Sequence, residues 1–342
     1  MTRNNILIWL PSPMGDAIMA TPALRCIRQI CECDKITFLA NRTAAEILSP
    51  SIFADDWIIH ENNNPFKIAS VLKKHNFNCA ILLKNSFASA FAVFLAGIKN
   101  RIGYARDSRG IFLNQKLYPE KISFFRYKPL SAIDYYLAVP ALFEENASNK
   151  KTELAVSESD KNIILEKFSD KLNSKNPLVI LVPGGAFGPS KLWHEQNFAK
   201  VADFLIEKFS ANVLVSVSPA KQEIAIAQKI CSLAKNPILN LGLNPLSLGQ
   251  LKALFSFANL VITNDTGPRH IAIALNRKVI TLFGPNNPAW TAGNYPGETK
   301  IIADVPCAPC DKSVCKKDKH YCMDSISAEM VCLAAEKVFK NG

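Results

Sequence analysis

Short β-branched apolar runs alternate with helix-forming segments twice over in this chain, once on each side of a polar stretch at residues 144–176. Before that stretch, residues 6–10, 36–40, 57–60, 79–83 and 101–104 read as strands. Helical segments lie at 44–48, 66–75 and 86–96, and residues 131–143 close the half. After it, strands at 178–182, 213–217, 260–263 and 279–283 alternate with helices at 196–209, 221–234 and 248–256. Strand and helix in strict turn specify a parallel sheet covered on both faces, the doubly wound α/β class. At 342 residues the chain exceeds one ordinary core, so the expectation is two such domains. The boundaries are 1–155 for an N-terminal α/β domain, 156–176 for a linker, 177–325 for a second α/β domain, and 326–342 for a C-terminal helix packing back on the first domain.

Polar chemistry is densest at residues 260–285. Asn264, Asp265 and Thr266 follow a buried strand and can cap a helix whose first turn holds Gly267, Pro268 and His270, and Gly284-Pro285 closes the next strand. Proline suits a first helical turn and glycine lets backbone N–H groups approach a ligand. A helix opening at the carboxyl end of a parallel strand favours an anion, phosphate above all. The plainer reading is a good turn and N-cap. A second loop of this kind runs from Pro183 to Trp193, with Gly184, Gly185, Gly188 and Lys191. It is either a flexible loop with a surface lysine or a second phosphate contact, and it lacks the Gly-Lys-Ser/Thr of a Walker A loop. Two such loops on one sheet edge suit a nucleoside diphosphate.

In the first half, Gly15-Asp16 sits in the loop or single turn after the first strand, ahead of a helix that Thr21 caps and Pro22 opens. Asp16 either caps a turn or takes a proton from a hydroxyl. Gly-x-Gly-x-x-Gly is absent, which argues against a nicotinamide enzyme. Arg101, Arg106 and Arg109 crowd one loop, as a solvated turn or as a clamp for an anionic acceptor.

A formal net charge of +11 implies an anionic partner. The basic residues are scattered without aromatic interleaving, so nucleic acid is not expected; a phosphorylated substrate or an anionic membrane surface is. No apolar window reaches 18 residues, and the longest, at 87–98, suits a buried helix. The expected location is cytoplasmic. Cys307, Cys310, Cys315 and Cys322 are spaced C-x2-C-x4-C-x6-C, open to a structural zinc, to free thiols, or least readily in a reducing compartment to disulfides.

Three motifs together resemble one family. They are Gly15-Asp16 with Thr21-Pro22-Ala23-Leu24-Arg25, the Pro-Gly-x-x-Phe-Gly-Pro-x-Lys-x-Trp loop at 183–193, and Asn264-Asp265-Thr266-Gly267-Pro268 with His270. In order and spacing the chain resembles the lipopolysaccharide heptosyltransferases, glycosyltransferase family 9, and the Phe187-Gly188-Pro189-Ser190-Lys191 form leans towards those adding the second heptose. The resemblance implies a GT-B fold, two Rossmann-like domains facing a cleft. It implies an ADP-heptose donor and a Kdo–lipid A acceptor with its heptosyl inner core, met at the anionic inner face of the cytoplasmic membrane.

It also implies inversion at the anomeric carbon with Asp16 as general base and Lys191 neutralising the departing diphosphate. Asp265, Thr266 and Gly267 hold donor phosphates and sugar, and His270 supports their loop. Gly15, Gly185, Ser190, Arg106 and Arg109 complete the expected substrate-binding set. No cofactor and no metal are implied, in keeping with the absence of Asp-x-Asp, and either Gln222 or Glu223 faces the ribose. The alternatives are a family 9 transferase for another sugar or the first heptose, a sugar-nucleotide epimerase of the same fold, and a nucleotide-regulated binding protein.

Overall fold

Ile6, Leu7, Ile8 and Trp9 are all buried, as both faces of a central parallel strand must be. The computed structural model describes residues 5–123, 126–143, 148–185 and 187–340. It divides into two units, Met1–Ala155 with Ala289–Gly293, and Val156–Pro288 with Asn294–Gly342.

The first unit is built on β1 (Asn5–Trp9), β2 (Lys35–Ala40), β3 (Asp56–Ile59), β4 (Cys79–Leu82), β5 (Asn100–Tyr104) and β6 (Gln115–Leu117). A small antiparallel hairpin, β7 (Lys121–Ser123) and β8 (Arg126–Tyr127), follows. The second unit carries β9 (Leu178–Val182), β10 (Asn212–Val215), β11 (Leu239–Asn240), β12 (Leu260–Asn264), β13 (Lys278–Phe283) and β14 (Glu298–Ile302). The strand orders are β3-β2-β1-β4-β5-β6 and β11-β10-β9-β12-β13-β14. Every pairing within the two sheets is parallel. Both orders reverse direction beside the first strand of the sheet, which opens a crevice at the carboxyl ends of β1 and β4 in one unit and of β9 and β12 in the other. The loops singled out in the sequence leave β1, β9 and β12.

Several expectations change. Of the loop or single turn expected for Gly15-Asp16, the chain builds a short helix of six residues, Met14–Met19. Thr21 is the first residue of the next helix and Ala20 its cap; the Thr21 hydroxyl instead donates to Ile18 O at 2.8 Å. In residues 156–176, read as a linker with one exposed helix from Asp160 to Leu172, two helices form, Glu158–Lys167 and Ser169–Leu172, and they belong to the second unit, with Ile164 and Phe168 buried. Residues 144–147 of the polar stretch lie outside the described residues.

The last helix, Ala328–Lys340, joins the core of the second unit through Val331, Ala334 and Ala335, beside Val201 and Leu205 of helix Glu195–Phe209. It had been expected to return to the first domain. Its apolar face meets that of Glu195–Phe209, and the Phe209 and Phe339 rings lie 4.8 Å apart.

The helix Phe87–Leu95 also departs from expectation. Ser89, Ala90, Ala92 and Val93 are buried, while Phe87 and Phe94 are 46% and 47% exposed.

Candidate active site

The helix Met14–Met19 leaves β1 directly and carries Asp16 in its first turn. The Asp16 carboxylate lines a cavity of about 670 Å³ in the first unit, with Tyr104, Arg106, Tyr127, Tyr135 and Tyr136 among its walls. Tyr136, buried on helix Ala132–Leu137, donates its hydroxyl to Asp16 Oδ1 at 3.0 Å. Burial raises the Asp16 pKa, and the Tyr136 hydrogen bond works against that rise. Burial and the Asp16 charge push the Tyr136 phenol well up, so it remains a donor. A partly desolvated carboxylate held by one neutral donor is a stronger base than a free aspartate. Trp290 and Thr291 reach the same cavity from a segment remote in sequence, which Ser131 ties down by donating its hydroxyl to Ala292 O.

The arginine cluster divides. Arg106 lines the cavity, stacked over the Tyr127 ring at 4.6 Å and paired with Asp107 at 3.0 Å. Arg109 is wholly buried. It donates to Tyr104 O (2.7 Å), Asn85 Oδ1 (2.8 Å) and Lys84 O, binding together the loops after β4 and β5. Arg101 donates to the carbonyls of Phe112, Ile98 and Lys99. Of the three, Arg106 alone reaches the cavity, so a three-arginine clamp including Arg109 is not what the chain builds. Carbonyls left over at strand ends take up the other two guanidinium groups.

In the second unit Lys191 and Asp265 meet. Lys191 Nζ donates to Asp265 O at 2.6 Å, lies 3.4 Å from Oδ2, and sits 4.6 Å from the Phe187 ring centre. Both residues are buried, with 7% and 5% of their surface exposed. Burial lowers the Lys191 pKa while Asp265 opposes the drop. Asp265 Oδ1 pairs with Arg269 at 3.0 Å, and Oδ2 accepts from Asn286 at 2.9 Å. Burial would raise the Asp265 pKa, but the Lys191 and Arg269 charges hold it below the usual range.

Arg269 continues into a bidentate pair with buried Glu298 (2.6 and 3.1 Å), which also accepts from Thr281 at 2.6 Å. His270 is buried beside this network and stays neutral, its pKa brought down to about 3 by burial first and Arg269 second. Thr266 is the N-cap of the helix Gly267–Ala274, with no side-chain bond to it. The network therefore fixes one cation, Lys191, at the N-terminus of a helix, the combination that receives a phosphate.

Gly184 and Gly185 face Glu223, whose carboxylate accepts from Gly185 N at 3.3 Å and Ser218 N at 2.9 Å. A Cβ on Gly184 would lie 2.7 Å from Glu223 Oε2, so a side chain here would displace the carboxylate. Glu223 rather than Gln222 thus has its carboxylate at the strand end. Ser190 has a different duty: its hydroxyl and N–H bond Lys312 O (2.6 Å) and Ser313 O (3.1 Å), fastening the cysteine-rich segment beside the loop. None of the ten cysteines is in a disulfide, and among the described residues no group of three or more His, Cys, Asp or Glu is arranged to hold a metal.

Sequence reasoning missed Tyr136, Asn286 and Glu298. Arg269 stands between Pro268 and His270 of the third motif. Tyr136 and Glu298 carry no local signal.

Two six-stranded parallel sheets of identical strand order, each with flanking helices and its own crevice, are the architecture of the GT-B glycosyltransferases. The model for glycosyltransferase family 9 (heptosyltransferase) matches residues 66–321, and the chain belongs to that family. Lipooligosaccharide heptosyltransferase 2 of Campylobacter jejuni is 26% identical, with 98% of both chains covered. Lipopolysaccharide heptosyltransferase 2 of Escherichia coli is 31% identical over 66% of this chain and 65% of its own. Among solved structures, the glycosyl transferase family 9 protein of Veillonella parvula superposes with a TM-score of 0.84 at 20% identity, over 99% of this chain and 98% of its own. The E. coli ADP-heptose lps heptosyltransferase II superposes at 0.78 and 24%, covering 98% and 99%.

Proposed function

We propose that this glycosyltransferase moves L-glycero-D-manno-heptose from ADP-heptose to the heptose already carried by Kdo–lipid A, adding the second heptose of the inner core. The observation that carries the reading is Asp16, a carboxylate held by Tyr136 in a cavity of the first unit large enough for sugar rings. The acceptor hydroxyl attacks the anomeric carbon from the face opposite the diphosphate and gives its proton to Asp16. The bond from that carbon to the diphosphate oxygen breaks, and the configuration inverts. Charge that develops on the leaving diphosphate is met by Lys191 and by the N–H groups at Thr266 and Gly267.

Asp265 and His270 act behind these groups. Asp265 orients Lys191, and neutral His270 packs beside Asp265 without adding charge. Gly15 and Gly185 let backbone come close to ligand, Glu223 faces the ribose, and Arg106 meets the acceptor. The names of the relatives support the sugar and the acceptor.

Among the described residues no helix is long and apolar enough to cross a membrane. The charge of +11 supports peripheral docking to the anionic cytoplasmic face of the inner membrane.

The test supplies ADP-heptose with Kdo–lipid A and, separately, with the heptosylated form, and weighs the products by mass spectrometry. One heptose added only to the second acceptor supports the reading. Addition to bare Kdo–lipid A makes this the first-heptose enzyme, and addition to neither, with ADP still bound, points to another sugar.

A further inference from the structure

Between residues 62 and 106 the chain carries seven basic side chains, Lys67, Lys73, Lys74, Lys84, Lys99, Arg101 and Arg106, and no acidic one. The same stretch forms the helices Pro65–Leu72 and Phe87–Leu95 of the first unit. Phe87, Phe91 and Phe94 stand at i, i+4 and i+7, opposite the buried Ser89, Ala90 and Val93, and so share one outward face. Their rings join two more. Phe66 meets Phe91 at 5.8 Å, and Phe112 meets Phe87 and Phe94 at 5.2 Å each. Phe66 is 65% exposed and Ile111, beside Phe112, is 76% exposed. Five phenylalanines thus form a continuous apolar surface, with Phe66, Phe87 and Phe94 exposed and Phe91 and Phe112 half-buried beneath them.

The exposed charges on the elements that carry it are cationic, with Glu61 just ahead of the first of its helices. Lys67, Lys73, Lys74, Lys99 and Lys116 are exposed, and the Arg101 guanidinium lies 5.6 Å from the Phe94 ring centre. Contiguous exposed aromatics mark a docking surface, and the charge around them selects the occupant. Aromatic rings at the level of lipid headgroups, ringed by lysines whose stems reach along apolar surface, match an anionic bilayer.

We infer that this face, Phe66, Phe87, Phe91, Phe94, Ile111 and Phe112 with their lysine rim, docks the enzyme on an anionic lipid bilayer. The inference rests on the reading of the acceptor as lipid-linked. The first unit also carries the Asp16 cavity, so docking and acceptor capture belong to the same body of the chain.

The full-length protein is tested by co-sedimentation with vesicles of phosphatidylcholine, with and without phosphatidylglycerol. Wild type should partition onto the anionic vesicles, weakly onto the neutral ones, and less as salt rises. Phe87→Ser with Phe94→Ser should lower partitioning by at least about tenfold. Lys73→Gln with Lys74→Gln, fully surface changes that leave folding alone, should lower it by about tenfold.

Both pairs should keep wild-type turnover on a soluble acceptor oligosaccharide stripped of its lipid. Wild-type partitioning by both pairs overturns the inference and leaves the heptosyl-transfer reading standing. Absent transfer with intact, variant-sensitive vesicle binding does the reverse. Equal partitioning onto neutral and anionic vesicles overturns the inference. So does a wild-type dimer in sedimentation velocity that the phenylalanine pair converts to monomer, since the face would then join two copies.

Discussion

The carboxyl ends of the two sheets are built alike and furnished differently. After β1, Asp16 has one neutral partner, Tyr136, and a cavity before it. After β12, Asp265 has three partners, Lys191, Arg269 and Asn286, and Arg269 has Glu298 behind it. One carboxylate is left basic by burial, with a phenol as its side-chain partner; the other is held ionised by cations around it. The same residue type is therefore suited to accept a proton, as proposed, in one unit and holds a lysine in the other.

The comparison breaks most sharply at Asp16. Asp16→Asn should reduce turnover by about 10²–10⁴-fold while ADP affinity, followed by calorimetry, stays at the wild-type value. Loss of ADP affinity in this variant would mean that Asp16 is not a base but part of the donor site.

Next in size is Arg269→Met. It leaves Asp265 and Glu298 buried with one cation fewer and should cost about 3–5 kcal/mol of stability, read from denaturant midpoints. Lys191→Met in the same network should instead act mainly on turnover and on ADP affinity. Equal stability losses from the two would mean that Lys191 is structural.

A smaller effect is expected at Tyr136. Asp16 must be ionised to act, so turnover falls as pH drops through its raised pKa. The Tyr136 hydrogen bond lowers that pKa, so Tyr136→Phe should move the acid limb of the kcat profile to higher pH. An unmoved limb would show that the hydroxyl does not report on the base.

The smallest effect belongs to His270. Its folded pKa of about 3 lies below the ordinary 6.5. The unfolded chain therefore binds a proton that the fold does not, and stability falls as pH drops from about 6.5 towards 3. Asp265 and Glu298, with lowered pKa values, act in a lower window: their contribution is complete above about 4.5 and lost as pH falls further. His270→Gln should flatten the stability profile between pH 6.5 and 4.5 and leave the lower window in place.

The sequence by itself determined the two α/β halves, because strand and helix periodicity are local and each strand is buried on both faces. It also located Asp16, Lys191 and the turn from Asp265 to His270, because loops leaving the first and fourth strands of such a sheet end at the crevice whatever the detail. It did not separate Arg106 from Arg109, since which guanidinium meets a carbonyl and which meets a cavity depends on loops after β4 and β5 folding together.

Glu298 and Tyr136 were invisible for the same reason. Glu298 lies 29 residues from the arginine it holds, and Tyr136 lies 120 residues from its carboxylate. An apolar run at 87–98 read as buried because composition records how apolar a helix is and not which side meets a neighbour. Only tertiary packing decided that one face of Phe87–Leu95 enters the core and the other does not.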